Sequence, residues 1–251
     1  MLFDHETSDV RVPMGFAIAV VIPARDEATH IASTVTSVQA ALRAAPVASS
    51  CIVVVADACT DDTADVARRH LGPSDAVLEV DHRCVGEARA IGSSVALSLS
   101  SSGPRWTWVL GIDADSVAPR SWVRRHLAHA TRGVECVTGI VELEPLAPHS
   151  VRQQFASTYQ LGIRKRSHDH VHGTNFGIRG DTLLAAGNWP PESTAEDHGL
   201  WRAVTAMGRR TIQDPAIVVS TSARLVGRAP LGFAGDLADI DAQVSCDASS
   251  E

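Results

Sequence analysis

Lysine is nearly absent from this 251-residue chain: Lys165 is the only one, and arginine carries the remaining positive charge. That skew alone points to no chemistry. The formal net charge of -7 excludes a broad nonspecific nucleic-acid surface, leaving only local arginine clusters to hold phosphate. Cys51, Cys59, Cys84, Cys136 and Cys246 are odd in number, and no two have Cys-x-x-Cys spacing. A disulfide framework and a cysteine zinc site are therefore not expected. No stretch approaches the roughly 18 apolar residues of a membrane-spanning helix. Asp4, Glu6 and Asp9 precede any apolar run, unlike a secretory leader, so the expected compartment is the cytoplasm. There are no internal repeats. What is present, 45% hydrophobic and 20% charged residues, suits one large α/β domain with a full core.

Apolar runs and helical spacings alternate along the first half. Ala17 to Ile22 is a β-type run closed by Pro23, and Ile31, Val35, Val38 and Leu42 then recur at helical spacing. The alternation repeats as a strand over Cys51 to Val55 and a helix near Asp61 to His70. A strand over Ala76 to Val80, a helix over Gly86 to Leu99 and a strand over Thr107 to Ile112 follow. Four strands alternating with three helices imply right-handed crossovers and a mainly parallel sheet. Pro119 is expected to open a helix carrying Trp122 and Leu127, with a strand over Val134 to Leu143 after it. From about residue 149 the chain turns polar and basic, with Arg164-Lys165-Arg166 and His168-Asp169-His170-Val171-His172. The expected organisation is a leader over 1–16, one domain over 17–230 and a tail over 231–251, its last residues disordered. Within the domain, 17–116 is the first half, and 117–230 a less regular half that faces a second substrate.

Function is expected where the apolar run Val109-Leu110-Gly111-Ile112 stops in Asp113-Ala114-Asp115-Ser116. Open α/β sheets bind ligands beyond the carboxyl ends of their strands. Carboxylates at positions i and i+2 face one side, and both suit one hard cation such as Mg²⁺ or Mn²⁺. A solvated turn is the plain alternative. The first two strands also end in polar clusters, Pro23-Ala24-Arg25-Asp26-Glu27 and Asp57-Ala58-Cys59-Thr60-Asp61-Asp62-Thr63. Acids there can accept hydrogen bonds from a ribose or a base, or can cap helices. His168, His170 and His172 alternate, as metal ligands on a strand or as a wall of ordinary histidines. Arg224 and Arg228 flank Gly227 in a loop, suited to phosphate contacts or simply solvated. No glycine-rich basic loop follows Pro23, which argues against a nucleotidyltransferase.

These motifs, in this order, resemble the family 2 glycosyltransferases of GT-A fold. Val21-Ile22-Pro23-Ala24-Arg25-Asp26-Glu27 is similar to that family's Val-Ile-Pro-Ala-x-Asn-Glu, and Asp57 to Thr63 to its Asp-x-Ser-x-Asp-x-Thr segment. Asp113-Ala114-Asp115 resembles its metal-binding Asp-x-Asp. Gly173-Thr174-Asn175-Phe176-Gly177-Ile178-Arg179 resembles Gly-x-Asn-x-x-Ile-Arg, and Glu196-Asp197-His198-Gly199-Leu200 the Glu-Asp-x-x-Leu that carries the catalytic base. The resemblance implies a Rossmann-like sheet and an inverting transfer of one sugar from a nucleoside-diphosphate sugar, UDP-linked by expectation, to the hydroxyl of a small-molecule, lipid or glycan acceptor. A divalent cation, Mn²⁺ or Mg²⁺, would sit on Asp115 and Asp113, with His172 completing its ligands. Donor contacts fall to Pro23, Ala24, Arg25, Glu27, Asp57, Asp113, Ala114, Arg224 and Arg228. Arg89, on the helix after the third strand, reads as a donor contact or a surface cation. Asp197 is the expected base, with Glu196 beside it, although Thr194-Ala195-Glu196-Asp197 also fits a capping box.

Two departures stand out. Asp26 replaces the usual Asn, and Ala56 stands where many members have the first of two aspartates, leaving Asp57 as the expected base or ribose contact. Thr221 to Arg228 replaces the Gln-x-x-Arg-Trp of the processive, membrane-spanning synthases, so a single transfer without membrane helices is expected. The rival reading is a silent nucleotide-sugar-binding partner of the same fold.

Overall fold

The structure, a computed structural model, describes residues 15–144 and 149–224. Nearly all of the expected leader, the tail and Arg228 lie outside the described residues. Strand β1 (Ala17–Ala24) is buried along its whole length, which is why it reads as an unbroken apolar run. Its side chains alternate between two cores. Ile18, Val20 and Ile22 pack with Val35, Val38 and Leu42 of helix α1 (Ile31–Arg43) on one face. Ala19 and Val21 pack on the other face with Val53 and Val55 of β2 (Ser49–Asp57) and Ala88 of α3 (Val85–Leu99). Gly92 lets α3 lie close to the sheet: a Cβ there would come within 2.6 Å of Val21. Helix α2 (Thr63–His70) leads to β3 (Ala76–Val80), and β4 (Thr107–Gly111) completes the first half, with β1, β2, β3 and β4 mutually parallel.

The second half adds β5 (Ser116–Val117), α4 (Trp122–Ala130), β6 (Cys136–Leu143), α5 (His149–Gln160) and a hairpin of β7 (Ile163–Arg164) and β8 (Ser167–His168). It continues through β9 (Phe176–Arg179), α6 (Gly180–Ala185), α7 (Glu196–Ala206) and β10 (Thr211–Thr221). The main sheet runs β3-β2-β1-β4-β9-β6-β10-β5. Strand β9 inserts antiparallel between β4 and β6, while β10 runs parallel to β6 with a register break between Gln213 and Val218. The result is a large, mostly parallel sheet flanked by helices, as the resemblance implies.

Every expected strand of the first half forms: β1 and β2 run two residues further at one or both ends, β3 keeps its bounds, and β4 stops one residue short, at Gly111. The helix expected from Pro119 begins at Trp122. The half expected to be less regular carries more ordered elements than its polar composition announced.

Candidate active site

Asp113 and Asp115 follow β4 in a turn held by its own Ser116 and by hydroxyls from three other segments. The Asp113 N–H donates to Thr174 Oγ1 at 3.0 Å, Thr174 donates on to Ser116, and Ser116 to Thr221. On the other side Thr34 of α1 donates to the Ala114 carbonyl at 2.7 Å. These bonds aim the two carboxylates. Asp113 keeps an outward-facing side chain, while that of Asp115 is 8% exposed. Burial, and then the charge of Asp113, raise the Asp115 pKa to about 6, against the opposing pull of Arg224. Arg224 bridges this carboxylate, at 3.0 Å, and that of Glu27.

Arg89 is no surface cation. Its guanidinium is buried and divides its donors three ways: Nε to Glu196 at 3.0 Å, Nη1 to the Gly173 carbonyl at 3.1 Å and Nη2 to Asp113 at 2.5 Å. Burial works against its charge, but Asp113, Glu196 and Asp197 more than offset that and raise its pKa. The buried guanidinium is thus balanced by one buried carboxylate, Glu196, and one that opens outward, Asp113.

The ends of β1 and β2 meet beside it. The Asp57 carboxylate is buried and accepts three backbone N–H groups, those of His82, Arg83 and Cys84, at 2.7, 2.8 and 2.9 Å. It thereby holds Arg83 at a left-handed φ of 56° immediately before α3. Asp26 also sits at positive φ, 52°, a conformation that Asp and Asn tolerate, which explains how it replaces the usual Asn. Its carboxylate accepts the Thr60 N–H at 2.6 Å. Glu27 donates its backbone N–H to Thr63. Pro23 and Ala24 are the last residues of β1, paired with Val55 and Ala56, and Arg25 is half-buried just beyond.

Glu196 and Asp197 begin α7 but point apart. Glu196 is buried on Arg89, and burial raises its pKa. Asp197 is half-buried and accepts the Gly173 N–H at 2.8 Å and the His198 N–H at 2.7 Å. The helix starts at Glu196 after Ala195, which is left-handed with φ 64° and makes no side-chain cap bond. Asp197 is therefore the second helical residue, and its carboxylate is bonded to the neighbouring loop at Gly173.

The histidines do share one side, as a stack. Tyr159 lies 3.7 Å from His170 ring to ring, and His168 and His172 flank His170 at about 6 Å. Burial lowers the His172 pKa to about 3, so the ring is neutral and its Nε2 accepts the Tyr159 hydroxyl at 2.7 Å. Among the described residues, the three potential ligands within 4.8 Å of one another are Asp26, Cys59 and Asp61. Asp113, Asp115 and His172 form no such closed triad.

The model of the glycosyltransferase-like family 2 matches residues 14–224, most of the chain. The chain belongs to this family. No curated protein matches its sequence. Among solved structures, the mannosyltransferase PcManGT from Pyrobaculum calidifontis, in complex with GDP-Man and Mn²⁺, is similar with a TM-score of 0.61 and 19% identity, over 95% of this chain and 66% of its own. TarS 1-349 from S. aureus, in complex with UDP-GlcNAc, gives 0.58 and 16% over 92% and 66%. Glucosyl-3-phosphoglycerate synthase from Mycobacterium tuberculosis, in complex with Mn²⁺, UDP and phosphoglyceric acid, gives 0.56 and 18% over 93% and 77%. The chain spans about two thirds of the length of the first two.

For a member of this family, the supports of the motifs are as informative as the motifs. Thr34, Tyr159 and Thr221 carry no motif signal, yet each bonds a group at the site. Asn175, quoted only as part of a motif, is wholly buried: its amide donates to the Ile140 and Ile217 carbonyls and its oxygen accepts Trp122 Nε1. A strongly polar residue heading the apolar run Phe176-Gly177-Ile178 was the signal available for it.

Proposed function

We propose that this protein is an inverting glycosyltransferase, moving one sugar from a UDP-linked donor to an acceptor hydroxyl with the help of a divalent cation. The observation that carries the reading is the Arg89 cluster. One buried guanidinium joins Asp113 of the Asp-x-Asp to Glu196, the neighbour of Asp197, and so ties the metal motif to the base motif.

A buried carboxylate whose ionisation is made costly by burial and by a neighbouring acid suits a hard cation, and Asp115, Asp113 and in addition His172 are the residues we assign to Mn²⁺ or Mg²⁺. Coordination through His172 Nε2 requires that the Tyr159 bond be given up. When bound, the cation neutralises charge on the departing diphosphate. Arg224, now between Glu27 and Asp115, is positioned to turn its guanidinium to the same phosphates. Asp197, fixed by two N–H groups, takes the acceptor's hydroxyl proton as that oxygen attacks the anomeric carbon opposite the leaving diphosphate. Glu196 and Arg89 are positioning residues. Asp57, Glu27 and the Pro23-Ala24-Arg25 turn line the nucleoside side, with Ala114 between the two metal carboxylates.

The test is a screen of nucleotide sugars for slow hydrolysis with Mn²⁺ or Mg²⁺, followed by transfer once an acceptor is found. Wild type is expected to turn over one donor only with metal, and Asp115→Ala to lose metal-dependent nucleotide binding. Asp197→Asn should bind donor normally while transfer falls by roughly two to four orders of magnitude. Donor binding without turnover on any acceptor would overturn the enzymatic reading in favour of a silent partner protein.

A further inference from the structure

The β7–β8 hairpin carries in its turn none of the residues assigned to the site above, although His168 of β8 ends the histidine stack. Its register pairs Ile163 with His168 and Arg164 with Ser167, leaving Lys165 and Arg166 as the two residues of the turn. Turns of this length that follow strand twist favour Asn-Gly or glycine at positive φ. Neither Lys165 nor Arg166 is at positive φ, so turn chemistry does not account for the tip. Both side chains are exposed and, among the described residues, neither makes an ion pair, whereas Arg164 is held bidentately by Asp169. The protein's single lysine therefore stands, at an exposed turn of a molecule with net charge -7, beside an arginine that makes no ion pair among the described residues.

The surroundings extend the same polarity. A cleft of about 560 Å³ runs from the hairpin to His129 of α4 and the Asp214-Pro215-Ala216 bend of β10. Residues 116–134 and 145–168, which flank it in sequence, contain no Asp or Glu. The one carboxylate in the cleft, Asp214, is paired with His129 at 2.8 Å. Leu161, two residues before β7, is 87% exposed, far more than the other exposed large apolar side chains Leu99, Val117, Leu184 and Met207.

We propose that this hairpin is a docking surface for an anionic lipid bilayer. Unpaired cations at a tight tip are drawn to anionic headgroups. The exposed Leu161, two residues before the hairpin, gains by entering the acyl boundary, a gain that a free phosphate does not offer. Ile163 and Pro215 line the cleft between, continuing the apolar surface behind the tip. Leu161, Lys165 and Arg166 are not among the residues assigned to donor, metal or base, so vesicle binding is read without reference to the transfer reaction.

Co-sedimentation of the full chain with phosphatidylcholine vesicles, with and without phosphatidylglycerol, reads the proposal directly. Wild type is expected to sediment with the anionic vesicles only, and to lose binding by about tenfold or more as salt is raised from about 0.1 M to about 1 M, which shortens the Debye length from about 10 Å to about 3 Å. Lys165→Glu with Arg166→Glu should lower binding by at least about tenfold. Leu161→Asp should weaken it further, with unchanged circular dichroism in both variants. Equal sedimentation with neutral vesicles overturns the proposal, as does anionic-vesicle binding that the tip substitutions leave intact. Glycerol phosphate shifting the hairpin's amide resonances, with no vesicle binding at all, would make this a site for a soluble anion and overturn it too.

Discussion

Asp57 shows how one side chain can carry both readings that its sequence context left open. A carboxylate at the end of a parallel strand suits a nucleoside contact, yet both of its oxygens already serve the backbone of residues 82–84. Replacing it with alanine strands three N–H groups at a half-buried loop that also holds Arg83 at positive φ. Asp57→Ala should therefore cost about 2 kcal/mol without any ligand. In a protein of this size that is a fall of roughly 4–8 °C in melting temperature. A wild-type melting curve for the unliganded variant would mean that water replaces the carboxylate freely, leaving donor binding as its only work. Glu196 and Asp197 divide in a similar way. Adjacent in sequence, they were both legible as the base motif, but which one turns inward to Arg89 depends on the left-handed Ala195 that sets the phase of α7, and no pattern of residues announced that.

At the scale of elements, the first half was readable because each strand is long, apolar and separated from the next by a helix with its own period. Strand β9 was not. Four residues are too few for periodicity, and its antiparallel place between β4 and β6 is decided by partners about 40 to 70 residues away. What does specify it is Gly177, paired with Leu110 and Val137, where a Cβ would stand 2.5 Å from His126 Nδ1 and 2.6 Å from Trp108 Nε1. Those two rings are wholly buried and have nowhere to move. Gly177→Ala should destabilise by about 1–3 kcal/mol, the range for overpacking, and disturb Asn175 next to it. Denaturant unfolding decides the point: an unchanged midpoint would show that β9 yields easily and is not the wedge that fixes the second half of the sheet. The β10 bend around Asp214-Pro215 was hidden for a related reason, since proline and an acid inside an apolar stretch read as an end to the strand rather than a bulge within it.

The whole molecule joins two halves whose polar interiors respond to pH and to charge removal. His126 is buried without charge, and burial lowers its pKa to about 3, while His172 is lowered to about 3 and His168 in the same direction. A histidine whose folded pKa lies below its unfolded value of roughly 6.5 takes up a proton on unfolding, so its stabilising contribution is complete above that pH and is lost as the pH falls towards the folded pKa. Unfolding free energy should fall below about pH 6.5 with a slope approaching 1.4 kcal/mol per pH unit for each such histidine. Stability that stays flat from neutrality to the unfolded carboxylate range would show that these rings are hydrated. The halves meet at Arg89, which reaches Asp113 in the first and Gly173 and Glu196 in the second. Composition and spacing marked the carboxylates; the cation that unites them was legible only as a lone arginine on a helix. Arg89→Met leaves Glu196 uncompensated in the interior and should cost about 3–5 kcal/mol, the range for breaking a buried pair from one side. Adding Glu196→Leu removes the stranded charge, so the double variant should regain a large part of that loss. Strict additivity of the two substitutions in urea unfolding would mean that Arg89 and Glu196 are not energetically coupled, and the link between the metal motif and the base motif would have to run through Gly173 alone.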